Sequence, residues 1–252
     1  MTAPRALVVR APGTNRDGDV AFALDLAGAE PARVLIEQVF ANPKLLHESQ
    51  LLVIPGGFSF ADALGAGRLF ALELVTRLRD ELLAFVAAGK PVIVICNGFQ
   101  VLVRTGLLPG TAMPVALGPN EDGFGRPTGF TCEWIRLKPV SQLSIWTSTL
   151  AESETEIQCP IAHGEGRFFC GDATLRALQA ADQVALIYSG HNPNGSLADI
   201  AGICDSTGLV LGLMPHPENH VIPRQHPQHL SGNAAGLARS LFEAGVAHAA
   251  RL

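Results

Sequence analysis

Short, unbroken apolar runs separated by polar, glycine-rich turns dominate the first part of the chain. The runs at 6–9, 33–36, 51–54 and 91–95 are too short for helices and lack an exposed face, so they read as strands buried on both sides. Helical spacing fills the gaps between them. Residues 20–29 read as a helix and 42–50 as a loop or short helix. The stretch 69–88 carries a stripe at Leu72, Val75, Leu78, Leu82, Phe85 and Val86 that stops at Gly89, before Pro91. Strands alternating with helices through short turns predict an α/β fold, a doubly wound, mostly parallel sheet flanked by helices. Such sheets bind ligands at the carboxyl ends of their strands.

After Pro109 the pattern changes. Residues 121–131 read as a glycine-rich loop, and 132–139 and 144–149 as strands, for which antiparallel pairing is expected as a small addition to the parallel sheet. The segments 161–168 and 192–196 read as turns between strands, with Asn194-Gly195 a hairpin signal. A strand at 209–214 and a closing helix at 232–250 complete the chain. Without repeats, low-complexity stretches or linkers, residues 1–252 are expected to form one domain.

Composition narrows the function classes. A chain of 252 residues with 48% hydrophobic content can bury a large core. A net charge of -5 with 18 Lys plus Arg argues against a nucleic-acid face or a polybasic membrane contact, and favours a small substrate and a protein partner. Five cysteines, at 96, 132, 159, 170 and 204, are odd in number and lack C-x-x-C spacing, so neither a disulfide framework nor a zinc knuckle is indicated. The N-terminal apolar run is too short for a signal peptide and no stretch approaches a membrane span, so a reducing cytoplasm is expected.

Cys96 is the first candidate for chemistry. It follows the buried run 91–95 and precedes Asn97-Gly98-Phe99-Gln100, which reads as a helix start. Strand, sharp corner with a nucleophile, and a helix N-terminus that favours negative charge make a nucleophile elbow, with Val94 where the first glycine usually stands. His216-Pro217-Glu218 ends the 209–214 strand, and Gly56-Gly57 follows the 51–54 strand. Each alone has an ordinary reading: a core cysteine, a surface histidine and carboxylate, a turn. Together at strand ends they supply a nucleophile (Cys96), a base (His216), an orienting carboxylate (Glu218) and oxyanion N–H groups from Gly57 and Asn97, the parts of an acyl-transfer site. His216, His220, His226 and His229 also invite a metal reading, but Pro217, Pro223 and Pro227 prevent the helix that would align them, and no metal is expected.

The segments 94–100, 54–59 and 214–218 resemble the triad-type (class I) glutamine amidotransferases, whose sheet is flavodoxin-like. More narrowly, His163-Gly164-Glu165-Gly166-Arg167-Phe168, Asn192-Pro193-Asn194-Gly195-Ser196 and Pro12-Gly13-Thr14-Asn15 resemble the family of glutaminase subunits of phosphoribosylformylglycinamidine synthase. The resemblance runs from about residue 6 to 218. It implies that Cys96 attacks the glutamine side-chain amide, that His216 and Glu218 complete the triad, and that Gln100 contacts substrate. It further implies that ammonia passes to an ATP- and Mg-dependent synthetase subunit, with a possible small accessory subunit, and that this chain itself carries no cofactor. A glutaminase serving another synthetase, or a non-catalytic regulatory protein of the same fold, are the alternatives. The chain departs from the family at Phe60-Ala61-Asp62-Ala63-Leu64-Gly65, which lacks the usual arginine at Gly65, and at Val94.

Overall fold

Every residue of Leu51–Ile54, Val92–Ile95, Ile200–Cys204 and Val210–Leu213 is buried, as expected of strands covered on both faces. The structure, a computed structural model, describes residues 2–110, 113–232 and 236–252. Its strands are β1 (Arg5–Arg10), β2 (Glu30–Leu35), β3 (Leu51–Ile54), β4 (Val92–Ile95), β5 (Val115–Gly118), β6 (Thr131–Pro139), β7 (Ile157–His163), β8 (Arg167–Cys170), β9 (Val184–Ser189), β10 (Ile200–Cys204) and β11 (Val210–Leu213). Its helices are α1 (Asp17–Leu26), α2 (Ile36–Ala41), α3 (Lys44–His47), α4 (Arg68–Arg77), α5 (Arg79–Ala87), α6 (Asn97–Arg104), α7 (Ser148–Glu152), α8 (Asp172–Ala180) and α9 (Arg239–Ala249).

Among the described residues one sheet has the order β2-β1-β3-β4-β11-β10-β9-β6-β7, and β5 pairs with β8 in a separate antiparallel pair. From β2 to β11 all neighbours are parallel. From β11 to β7 all are antiparallel. The antiparallel strands expected after Pro109 therefore mostly extend the main sheet, making it mixed, while β5 and β8 form the small addition. The edge strand β7 alternates buried and half-buried residues, the period-2 pattern of a strand with one covered face.

Several elements differ from the sequence reading. The helix expected over 69–88 breaks at Leu78, whose φ of -133° is not helical; Asp80 and Glu81 in the first turn of α5 mark the new start, and the apolar stripe masked it. The second strand lies at Glu30–Leu35, earlier than predicted, and Ile36 opens α2. Residues 144–149 are no strand. The Ser141 hydroxyl accepts from the Leu143 and Ser144 amides, so local bonds take what a ladder would need. Within 161–168 only 164–166 is a connection, with β7 and β8 on either side. Asn194-Gly195 is not a two-residue hairpin turn. Asn194 is fully buried, its Nδ2 donating to Gly166 O and its Oδ1 accepting from Ser196, so the segment is a polar plug between β9 and β10. Of the closing helix expected at 232–250, residues 233–235 lie outside the described ones and α9 spans Arg239–Ala249.

Trp146 is fully buried and its Nε1 donates to Leu209 O at 2.9 Å, which ties the 144–147 turn to the strand that leads to the site. Gly245 of α9 packs on this ring so closely that a Cβ there would lie 2.1 Å from Trp146 Cζ3. Alanine in place of that glycine would favour the helix by up to about 1 kcal/mol, but overpacking an anchored ring costs about 1–3 kcal/mol or more. Gly245→Ala should therefore lower stability, seen as a lower urea midpoint; an unchanged or higher midpoint would contradict the packing described.

Candidate active site

The strands β3, β4 and β11 are adjacent and parallel, so their carboxyl ends open on the same sheet edge. Gly56-Gly57, Cys96 and His216 each lie just past one of them, and the structure brings all three predicted elements together. Cys96 has φ 50° and ψ -107°, a conformation that a non-glycine residue adopts only under constraint. Its N–H donates to Leu213 O at 2.8 Å and its carbonyl accepts from Gln100 N at 3.0 Å, fixing the corner at both ends. Gly98 makes the corner possible, because a Cβ there would be 2.1 Å from Ile54 O. Val94 is fully buried in β4 and does not displace the elbow.

His216 is held from the other side. Its N–H donates to Pro160 O, and its Nδ1 lies 2.7 Å from Glu218 Oε1. Glu218 is fully buried, and its second oxygen has no partner among the described residues, so the carboxylate is aimed at the imidazole. Burial by itself disfavours the imidazolium, but the Glu218 carboxylate and the Cys96 sulfur outweigh it, and His216 is pushed up to about 10. Gly56 explains how the ring fits: a Cβ there would come within 2.7 Å of His216 Cε1 and 3.3 Å of Cys96 Cβ. The sequence reading singled out Gly57 and missed this second requirement for glycine.

Cys96 borders a cavity of about 170 Å³ whose walls include Gly57, Gln100, Phe130, His163 and Glu165. The backbone N–H groups of Gly57 and Asn97 have no partner among the described residues, which suits oxyanion donors. The side chains of Asn97 and Gln100 are committed elsewhere. Asn97 Oδ1 accepts from the Ser59 hydroxyl at 2.6 Å, and its Nδ2 donates to Gln100 Oε1 and Asp62 Oδ1. Gln100 Nε2 donates to Glu165 O at 2.6 Å, so Gln100 lines the cavity while bracing the 164–166 connection. Ser59, Asp62 and Glu165 are site neighbours that sequence reasoning missed, since nothing in their spacing sets them apart.

The divergent stretch 60–65 is a strained loop, with positive φ at Phe60, Ala61, Asp62 and Leu64. Burial is the largest influence on Asp62 and holds its carboxyl above the usual range. Arg68 lies beside the position where the arginine is absent, its Nε 3.2 Å from where a Cβ at Gly65 would stand. Of the other histidines in the proline-rich tail, His220 binds Gln158 O through Nδ1 and, like His226, stacks on Trp134.

Comparisons with known proteins identify the family of the chain. Residues 3–249 match the CobB/CobQ-like glutamine amidotransferase domain family. The chain is 48% identical to the phosphoribosylformylglycinamidine synthase subunit PurQ of Treponema denticola, over 96% of this chain and 98% of that one. It is 43% identical to the subunit of the same name from Nostoc, over 84% of this chain and 86% of that one. A chain in the structure of PurLQS from Thermotoga maritima superposes with a TM-score of 0.75 at 32% identity, covering 96% of this chain and 97% of that one.

The charge pairing has a measurable pH signature. His216 is raised above its ordinary 6.5, so the stabilisation it brings is fully present below about pH 6.5 and is lost as pH rises through about 10. Glu218→Gln should destabilise the chain by about 3 kcal/mol near pH 6. That difference should shrink as pH passes 10. Urea unfolding of both proteins across this range tests it; a gap that stays constant with pH would mean that Glu218 does not carry the histidine's charge.

Proposed function

The chain belongs to the CobB/CobQ-like glutamine amidotransferase family, and from that membership we propose how its site works. It is the glutaminase subunit of phosphoribosylformylglycinamidine synthase, hydrolysing L-glutamine to glutamate and supplying ammonia to a partner synthetase in purine biosynthesis. The observation that carries the mechanism is Cys96 at a strained strand-to-helix corner, with His216, paired to a buried carboxylate, so near that a Cβ at Gly56 would crowd both. We infer that residues 1–252 act as one domain, in the cytoplasm; in support, the family match spans residues 3–249. ATP and Mg belong to the synthetase, and a small accessory subunit joins the complex.

In the proposed mechanism Cys96, as thiolate, attacks the side-chain carbonyl carbon of glutamine, and the oxygen that becomes negative accepts from the Gly57 and Asn97 N–H groups. His216 gives its proton to the departing nitrogen, the C–N bond breaks, and ammonia leaves a glutamyl thioester on sulfur. Next His216 takes a proton from water as that water attacks the thioester, releasing glutamate and restoring the thiolate and the protonated imidazole. Glu218 keeps the imidazole in the tautomer with Nδ1 protonated, so that Nε2 serves both steps. Gln100 braces the pocket wall that substrate meets. The ammonia then converts formylglycinamide ribonucleotide to the amidine on the synthetase.

Cys96→Ala exchanges a small side chain for a smaller one at a strand end and should leave the fold intact. In the assembled complex it should abolish glutamine-dependent amidine synthesis while synthesis from high ammonium salt remains, and His216→Ala should do the same. Activity with glutamine in Cys96→Ala would refute the nucleophile, and failure of ammonium to rescue an assembled complex would refute ammonia delivery. The strained 60–65 loop beside the cavity leads to a further expectation. Glutamate release by the isolated chain should be slow and should rise on adding the synthetase, the behaviour of a site completed by loop closure; equal rates would remove the partner from the glutaminase step.

A further inference from the structure

His163 ends β7 on the wall of the cavity that holds Cys96, yet no step above uses it. It is 3% exposed, and its hydrogen bonds fix its protonation. Asn120 Nδ2 donates to the carbonyls of Gly129 and His163, so Oδ1 is the accepting end of that amide, and it also takes the Gly166 N–H at 2.9 Å. His163 Nδ1 lies 3.2 Å from the same oxygen and must therefore carry a proton. The neutral ring is left with a bare lone pair on Nε2, and Nε2 is buried without a partner among the described residues. Protonation does not relieve it, because burial and the neighbouring His216 hold His163 down to about 3. Nor can the ring turn away on the Gly166 side, where even a Cβ would be only 2.2 Å from Cε1.

We propose that His163 is the residue that reads the amide: its Nε2 accepts a hydrogen bond from the side-chain N–H of glutamine while Cys96 attacks the adjoining carbonyl. A buried acceptor of this kind selects by what its partner can donate. Glutamine offers two N–H groups at that place. The γ-carboxylate of glutamate offers none and would set lone pair against lone pair, so the product is disfavoured as soon as it forms. The α-ammonium of the substrate is a poorer match, since it is better met by the Asp62 and Glu165 carboxylates, which also line the cavity. Seen this way, Asn120 is a positioning residue that holds the tautomer on which the selection depends.

This inference rests on the glutaminase reading, and the test separates the two. In the complex with the synthetase, kcat/KM is measured for glutamine and for the γ-methyl ester of glutamate, which keeps the carbonyl but has no N–H to donate. His163→Ala should lower the value for glutamine by about tenfold or more while changing the ester by about twofold or less, and glutamate should inhibit the variant more strongly. An equal fall for both substrates would mean that the ring only supports the fold, and the proposal would be wrong. A second measurement needs no change at His163. In a Cys96→Ala complex, calorimetry should find glutamine bound about tenfold tighter than the ester, and equal affinities would overturn the proposal. Wild-type complex that released no glutamate from glutamine would instead sink the glutaminase reading itself.

Discussion

A single backbone corner organises the molecule. Cys96 occupies φ 50°, ψ -107°, a conformation costing on the order of 1–3 kcal/mol for a residue with a side chain. It persists because its surroundings leave no alternative. β11 takes its N–H, α6 takes its carbonyl, and Gly98 rides against Ile54 of β3 with no room for even a methyl group. The corner therefore requires β3, β4 and β11 to be adjacent, parallel and in this register. In return, the sulfur stands on a rigid element, at the junction of β4 and α6.

Near Cys96 lie two buried histidines whose environments push them in opposite directions. His216, beside a carboxylate with one free oxygen, is pushed up to about 10; His163, beside a neutral amide and next to His216, is held down to about 3. Desolvation acts against the charge of both, so the difference comes from the partner each is given. One site thus contains an imidazole that carries a proton and another that presents a lone pair, the separation of roles that acid–base chemistry at one pH requires.

How far the sequence revealed this depends on the range of the interactions. Cys96, His216 and Glu218 were legible because buried strands announce themselves by composition and because strand ends in an α/β sheet meet on one edge; Gly57 and Asn97 followed from the same rule. The misreadings share another cause. Residues 144–149 have strand propensity, but Ser141 captures the Ser144 amide and the Ser144 carbonyl takes those of Thr147 and Ser148. Asn194-Gly195 has hairpin propensity, but Asn194 is needed to hold Gly166 O. The 69–88 stripe is continuous, yet the helix breaks at Leu78. In the first two cases a side chain overrides a local preference, and one residue's neighbours in sequence do not report it. The parts played by Gly56 and His163 stayed obscure for that reason, since they lie in contacts with distant segments, the His216 ring against Gly56 and the Asn120 amide against His163.

Asn97 joins what would otherwise be separate parts. Its amide N–H is the proposed oxyanion donor, and its side chain binds Ser59, Asp62 and Gln100. Ser59 and Asp62 belong to the strained loop, and Gln100 braces Glu165 on the opposite wall. The first residue of α6 is thus the hub between the loop, the far wall and the reacting centre. Phe58 and Leu64, at either end of that loop, are 46% and 74% exposed. Force applied to those side chains has a short path through Ser59 and Asp62 to Asn97, and hence to the proposed oxyanion donor. A loop in a relaxed conformation, or one without polar ties to Asn97, would absorb such a force. This one is strained and tied, so its position and the geometry of the oxyanion site are physically one variable.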